Sequence, residues 1–128
     1  MIIDKDTIVF VNKLLNLPAN GAEQDWPLEL ADRFRLNEFI NILYKMNFSF
    51  PIKYAVMSLI LASYDDLIFF ESDKNNYWKT IEELLNKHNT EYFELLQYWA
   101  LLHEKDEGNW FSITPLVRDY LKKIKNLL

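Results

Sequence analysis

The apolar stretch FPIKYAVMSLILASYDDLIFFE, residues 50–71, most constrains what this chain can fold into. At about 100° per residue, a helix through it places large apolar side chains on one stripe, with a second apolar stripe beside it. Four members of the first stripe are Leu59, Ile60, Leu67 and Phe70. A helix that is apolar around most of its circumference packs on several sides. We therefore expect a central helix at about 50–71 with these four side chains almost fully buried.

The rest of the sequence is also predicted to be helical. Two glycines and four prolines leave little room for β-hairpins, and apolar residues recur at helical spacing in five further segments. These segments are about 6–17, 33–46, 76–89, 91–104 and a last one that is capped by Thr114 and begins at Pro115. A chain of 128 residues has the length of one ordinary domain. The prediction is an all-α fold, a single helical domain over residues 1–128 with about six helices around the central one.

Composition indicates the cellular compartment and excludes several kinds of functional site. The chain has no cysteine, so disulfides, iron–sulfur clusters and thiolate zinc sites are excluded. Its first ten residues carry acids where a signal peptide has a basic region. The central helix is interrupted by Asp65 and Asp66, short of the roughly 20 apolar residues that a bilayer requires. We expect a soluble, cytoplasmic protein with no membrane partner.

Charge is distributed unevenly along the chain. Residues 1–64 hold seven acids and six bases, whereas residues 65–94 hold eight acids and three lysines, and the net charge is −5. Only three arginines are present. Binding to a polyanion needs clustered lysine and arginine side chains, so nucleic acid is not an expected partner. A basic protein is the natural partner for an acidic surface.

A search for catalytic chemistry finds no convincing set. His103-Glu104 begins an HExxH pattern, but Glu107 stands where the second histidine would be. His88 could join His103 and nearby acids in a metal-dependent hydrolase site, although a core-facing His88 is the simpler interpretation. With glycines only at 21 and 108, neither a GxSxG nucleophile turn nor a phosphate-binding loop is possible. We expect a protein with no catalytic residues, no metal and no cofactor.

The adjacent acids Asp65 and Asp66 have three possible roles. Neighbouring residues on a helix point about 100° apart, so the pair is not a catalytic dyad by itself. The first interpretation is that Asp65 is constrained by a neighbouring helix or loop while Asp66 is solvated. The second is that Asp66 contacts a partner, and the third is catalysis.

Two segments without helical periodicity are candidates for partner binding. Residues 18–30 contain Glu23, Asp25 and Trp26, a combination of charge and a large aromatic side chain that resembles an interface anchor. The alternative is that Trp26 folds back over helix ends and Asp25 caps a helix. The second segment, close to the C-terminal end, combines three acids and a tryptophan: Glu104, Asp106, Glu107 and Trp110. The helix predicted before it is rich in apolar residues, among them Phe93, Leu96, Trp99 and Leu102.

Short segments such as Glu23-Gln24-Asp25-Trp26 and Ile113-Thr114-Pro115-Leu116 are similar to segments of small bacterial helical proteins. In size, acidity and lack of cysteine, the whole chain resembles the immunity proteins that bacteria encode beside polymorphic or contact-dependent inhibition toxins. The resemblance implies a non-catalytic inhibitor, a monomer or weak homodimer, that occludes the active site of a cognate, basic, nuclease-type toxin. The alternative from another class is a self-associating or scaffold-type helical module.

Overall fold

The computed structural model describes residues 3–127, and every regular element in that range is helical. The α-helices are α1 Lys5–Leu14, α2 Trp26–Glu29, α3 Leu36–Lys45, α4 Phe50–Phe70, α5 Tyr77–Asn86, α6 Phe93–Ala100 and α7 Thr114–Leu127. Short 3-10 helices at Arg33–Arg35 and Glu107–Asn109 precede α3 and α7. The predicted all-α fold is confirmed. The six predicted helices are α1 and α3 to α7, and α2 is an additional turn inside the segment that we expected to be irregular.

By its internal contacts the chain separates into two compact units, one up to Leu67 and one from Ile68. The boundary therefore lies near the end of α4. A single domain over residues 1–128 stays a prediction.

The first unit is stabilised by hydrogen bonds in which side chains take part. The indole Nε1 of Trp26 donates to Oδ1 of Asn12, on α1, over 2.8 Å. The backbone N–H of Asp32 donates to the hydroxyl of Ser63, on α4, over 3.0 Å. Ser63 is fully buried, and this bond satisfies a hydroxyl that would otherwise be costly to bury.

In the second unit, α7 bonds to both preceding helices. The Thr114 hydroxyl donates to the carbonyl of Trp99, on α6, over 2.8 Å. The Tyr120 hydroxyl donates to Oδ1 of Asn86, on α5, over 2.6 Å. Burial raises the pKa of Tyr120 to about 12, so the phenol stays protonated and able to donate at neutral pH.

The burial of α4 follows the sequence prediction for most of its length. Eleven consecutive residues, from Tyr54 to Tyr64, are buried, as expected for a helix covered on all sides. Leu59 and Ile60 are fully buried and Leu67 is 9% exposed, so the predicted burial of these three side chains is confirmed. No helix among residues 3–127 combines the length and the apolar character needed to cross a membrane.

The prediction that Phe70 is buried is wrong. Phe70 is 59% exposed and Phe69 is 69% exposed. Their rings pack against each other edge to face with centroids 4.8 Å apart. The periodic stripe continues to the end of α4, but the last buried residue of the helix is Leu67. Periodicity identifies which face of a helix is apolar and does not say how far along the helix that face is covered.

Arg35 caps the C-terminal end of α1 with hydrogen bonds to backbone carbonyls. The last carbonyls of a helix have no partner within it, and a cation there also interacts favourably with the helix dipole. The Arg35 guanidinium donates to the carbonyls of Leu15 and Asn16, the second over 3.4 Å, while its Nε bonds to Glu38 over 2.6 Å. Asn16 has φ 49°, the left-handed conformation that often ends a helix. The bond from Arg35 holds the pKa of Glu38 below its usual range.

Candidate protein-binding site

Residues 18–30 do not present Trp26 as a projecting anchor. Trp26 is only 4% exposed, and its indole N–H already has a partner in Asn12. Glu23 accepts a hydrogen bond from the backbone N–H of Asn20 over 3.2 Å. The interpretation of Trp26 as an exposed interface residue is therefore wrong, and the alternative, a tryptophan folded back into the protein, is correct. Asp25 stands at the N-cap position of α2 without a capping bond from its side chain, so its expected capping role is not observed.

Asp66 is less solvated than the sequence predicted. It is half-buried, as is Asp65. Burial raises the pKa of Asp66, and the charge of Arg33 opposes that rise. Since burial has the larger effect, the ionised carboxylate of Asp66 is disfavoured at its position.

The acidic segment after α6 forms a structured loop, residues 101–110, which we call the acidic loop. It begins at Leu101, whose φ of 46° turns the chain out of the helix. The Glu104 carboxylate accepts from the backbone N–H of Asp106 over 3.1 Å, and Asp106 accepts from that of Gly108 over 3.0 Å. A Cβ on Gly108 would lie 3.2 Å from the Asp106 carboxylate, so glycine suits this tight turn. Asp106 and Glu107 are exposed, and Glu104 is half-buried.

Arg118 on α7 holds the acidic loop in place. Its Nε donates to the Ala100 carbonyl over 2.7 Å, and its Nη2 donates to the carbonyls of Leu101 and Glu104, the second over 3.0 Å. The guanidinium carbon lies 4.0 Å from the centroid of the Trp110 ring. The planar Arg118 guanidinium thus caps the C-terminal end of α6, holds the loop backbone and stacks on the Trp110 ring.

Trp110 therefore stabilises the acidic loop. Its indole N–H donates to the Glu104 carbonyl over 3.0 Å, one ring face lies against Arg118, and the side chain is half-buried. The expectation that Trp110 protrudes as an exposed anchor is wrong, because its polar and aromatic groups already have partners within the second unit.

Exposed aromatic side chains occur instead on the solvent side of α6. The buried side of the helix consists of Leu95, Leu96, Trp99 and Ala100. The opposite arc, about 140° wide, carries four exposed residues that we call the α6 outer face: Phe93, Glu94, Gln97 and Tyr98. Phe93 is 44% exposed and Tyr98 is 47% exposed. The Tyr98 ring is held from one side by Phe111, with centroids 5.6 Å apart.

Sequence reasoning missed this face because it counted Phe93 and Leu102 among the apolar residues of the helix without separating its two sides. Leu102 is 52% exposed and lies beyond the end of α6. A usable signal was present in the sequence. Glu94 and Gln97 are the polar residues of α6, and Phe93 and Tyr98 lie on either side of the arc that they define, each about 40° away.

The charge around the α6 outer face and the acidic loop is strongly negative. Residues 91–107 contain five acids and one lysine: Glu91, Glu94, Glu104, Asp106, Glu107 and Lys105. The structure thus combines two exposed aromatic rings on a helix with carboxylates on a loop whose backbone is held by Arg118 and Trp110. Aromatic residues near the centre of a patch with a charged rim are typical of protein interfaces.

The histidines do not combine with acids into a metal site. Nδ1 of His88 lies 4.0 Å from the carboxylate of Glu91, and His103 is exposed. Within residues 3–127, no three histidine, aspartate or glutamate side chains are grouped as the ligands of a metal ion would be.

Comparison of the chain with protein-family models, with curated proteins and with solved structures gave no match in any of the three.

Proposed function

We propose that this chain is a non-catalytic immunity protein that acts in the cytoplasm by binding a cognate, basic toxin domain and covering its active site. The observation that carries the proposal is the α6 outer face beside the acidic loop. It offers apolar anchors and negative charge together, the two properties needed to bind a cationic cleft.

The anchors support tight binding once contact is made. Phe93 and Tyr98 are about half exposed in the free protein, so each has apolar area left to bury against a partner. Tyr98 already packs on Phe111 and therefore loses little conformational freedom on binding. Aromatic side chains that are rigid before association are frequent energetic hot spots.

The carboxylates support fast and selective association. A toxin that cleaves nucleic acid needs a positive cleft, and an acidic surface accelerates encounter with it at low salt. Because Arg118 and Trp110 fix the acidic loop, the loop acids are arranged before the partner arrives. Ordering them on binding then costs little free energy.

Co-expression tests the proposal as a whole. The product of the adjacent gene, expressed alone, is expected to be toxic, and simultaneous expression of this chain is expected to restore growth. A product that is harmless alone, or that remains lethal when this chain is present, contradicts the immunity function.

Two substitutions test which surface binds. Glu107→Lys reverses an exposed loop charge and is expected to slow association with the toxin at low salt by roughly tenfold, with a smaller effect at high salt. Asp25→Lys makes the same charge change in the first unit, at an exposed residue whose side chain makes no capping bond. It is expected to leave the association rate nearly unchanged. Equal effects from both variants would mean that residues 18–30 also contact the toxin.

The anchors are tested by dissociation. Tyr98→Ala is expected to raise the dissociation rate by roughly 30-fold, which corresponds to about 2 kcal/mol for a moderate hot spot. Phe70→Ala, which removes an aromatic ring from α4 that is more exposed than that of Tyr98, is the control and should change that rate less than about twofold. Surface plasmon resonance at two salt concentrations measures both rates.

A further inference from the structure

The solvent side of α1 is a second surface, in the first unit, that the proposed function does not use. Five residues of this helix are exposed: Lys5, Asp6, Val9, Phe10 and Lys13. At about 100° per residue they fill one arc about 140° wide, which we call the α1 outer face. Val9 is 43% exposed and Phe10 is 45% exposed. The edge of the Phe10 ring meets Phe48, with centroids 6.4 Å apart, so the apolar centre extends beyond the helix.

Two of the three charges of the α1 outer face, those of Asp6 and Lys13, are placed symmetrically about its apolar centre. Asp6 stands three residues before Val9, and Lys13 stands three residues after Phe10. If two copies of α1 lie antiparallel with a two-fold axis between Val9 and Phe10, each Val9 faces the other copy's Phe10. In the same arrangement each Asp6 faces the other copy's Lys13. An interface between identical copies with two-fold symmetry requires this kind of self-complementarity.

We propose that the α1 outer face binds a second copy of this chain, antiparallel, to form a reversible homodimer. The proposal rests on charge complementarity within the face and is independent of the proposed toxin binding. A second copy is a poor match for the α6 outer face, because the same acids would face one another there.

The size of the α1 outer face limits how tightly two copies can associate through it. A helix of ten residues is about 15 Å long. Such a contact falls short of the roughly 1,200 Å² that stable interfaces bury, even with Phe48 included. The dimer should therefore be weak, with half-association expected at roughly 100 µM, and salt should weaken it further.

Sedimentation of the full chain tests the proposal. The apparent mass is expected to equal the monomer's 15.4 kDa at the lowest concentrations and to rise toward twice that value as the protein approaches about 1 mM. Asp6→Lys places lysines opposite Lys13, and Lys13→Glu places glutamates opposite Asp6. Each variant alone should weaken association by roughly tenfold or more, since both symmetric pairs become repulsive.

Mixing the two variants tests the antiparallel register directly. In a mixed dimer the new Lys at position 6 faces the new Glu at position 13, and the unchanged Lys13 faces the unchanged Asp6. An equimolar mixture should recover association close to that of the unmodified chain. Recovery cannot come from a more stable helix, because each chain still carries its own unfavourable substitution. Lys5→Glu is the matched control: in this register Lys5 lies opposite Leu14, so the change should leave association unaltered.

Three results would overturn the dimer. The unmodified chain could remain a monomer throughout the concentration range, the mixture could fail to associate where the unmodified chain does, or Lys5→Glu could weaken association as much as Lys13→Glu. A further contrary result is a Lys13→Glu variant that loses protection against the toxin while no dimer is detected, since the face would then belong to the toxin interface. None of the first three results affects the proposed function, which is tested on the α6 outer face.

Discussion

At the scale of single residues, burial separates side chains that the sequence treats as equivalent. Leu59 and Phe70 belong to the same apolar stripe of α4, yet one is fully buried and the other is 59% exposed. Leu59→Ala is expected to lower the free energy of unfolding by roughly 2–5 kcal/mol, because it removes packing and leaves a cavity. Phe70→Ala should change it by less than about 0.5 kcal/mol. Urea denaturation of both variants measures the difference, and similar losses would show that the end of α4 is covered in solution.

Asp66 gives a pH-dependent prediction at the same scale. Burial raises the pKa of Asp66 above its usual value of 3.8, so the folded protein holds this proton more tightly than the unfolded chain. Ionised Asp66 therefore costs stability at neutral pH, and that cost disappears as the pH falls through the raised pKa. Asp66→Asn should be slightly more stable than the unmodified chain at pH 7, with the advantage shrinking toward pH 4. Thermal melts at both pH values test this, and an Asn variant less stable at pH 7 would mean that attraction to Arg33 outweighs burial.

Single residues also show why the candidate site was only partly predictable. The sequence marked the acids near residues 104–107 as a candidate surface segment, and Asp106 and Glu107 are exposed, whereas Glu104 is half-buried. It could not show that the indole N–H groups of Trp26 and Trp110 find partners within the fold. Those partners, Asn12 and the Glu104 carbonyl, are common groups with no feature that marks them in a sequence. Whether a tryptophan projects or folds back depends on such contacts.

At the scale of elements, the helices were predictable and their ends were less so. The segment 91–104 was predicted as one helix, whereas α6 ends at Ala100. Leucine, histidine, glutamate and lysine all tolerate a helix, so residues 101–105 contain no local stop signal. The helix ends because Leu101 turns left-handed and Arg118 binds its carbonyl from 17 residues away. A contact between distant residues decided this boundary, and helical periodicity does not report such contacts.

Arg118 carries the prediction for this element. Arg118→Lys keeps the charge but loses the planar group that reaches three carbonyls and stacks on Trp110. The expected loss is about 1–3 kcal/mol of unfolding free energy, with faster amide hydrogen exchange concentrated in residues 104–110. Lys123→Ala, also on α7, removes only the ion pair of an exposed lysine with Glu82 and should cost less than about 1 kcal/mol. Equal exchange in the acidic loop of both variants would show that the loop does not depend on the guanidinium.

At the scale of the whole molecule, net charge is the property that the sequence determines without reference to the fold. The chain carries −5 at neutral pH, and residues 65–112 hold eleven acids and four lysines. Repulsion among like charges disfavours the compact state and is screened by salt. Salt also weakens ion pairs, which would lower stability. Pairs such as Arg35–Glu38 and Lys123–Glu82 each have a substantially exposed partner, so they contribute little to stability.

Salt should therefore stabilise this protein at neutral pH. Raising NaCl from 10 to 300 mM at pH 8 is expected to raise the thermal midpoint by roughly 2 °C, measured at a few micromolar, where the proposed dimer through α1 would not be populated. At pH 5, close to the isoelectric point of about 5.0, repulsion is nearly absent and the same increase in salt should have little effect. The comparison separates charge screening from a general effect of salt on apolar burial, which would act at both pH values. A gain that is equal at pH 5 and pH 8 would show that the acidic surface does not limit the stability of the fold.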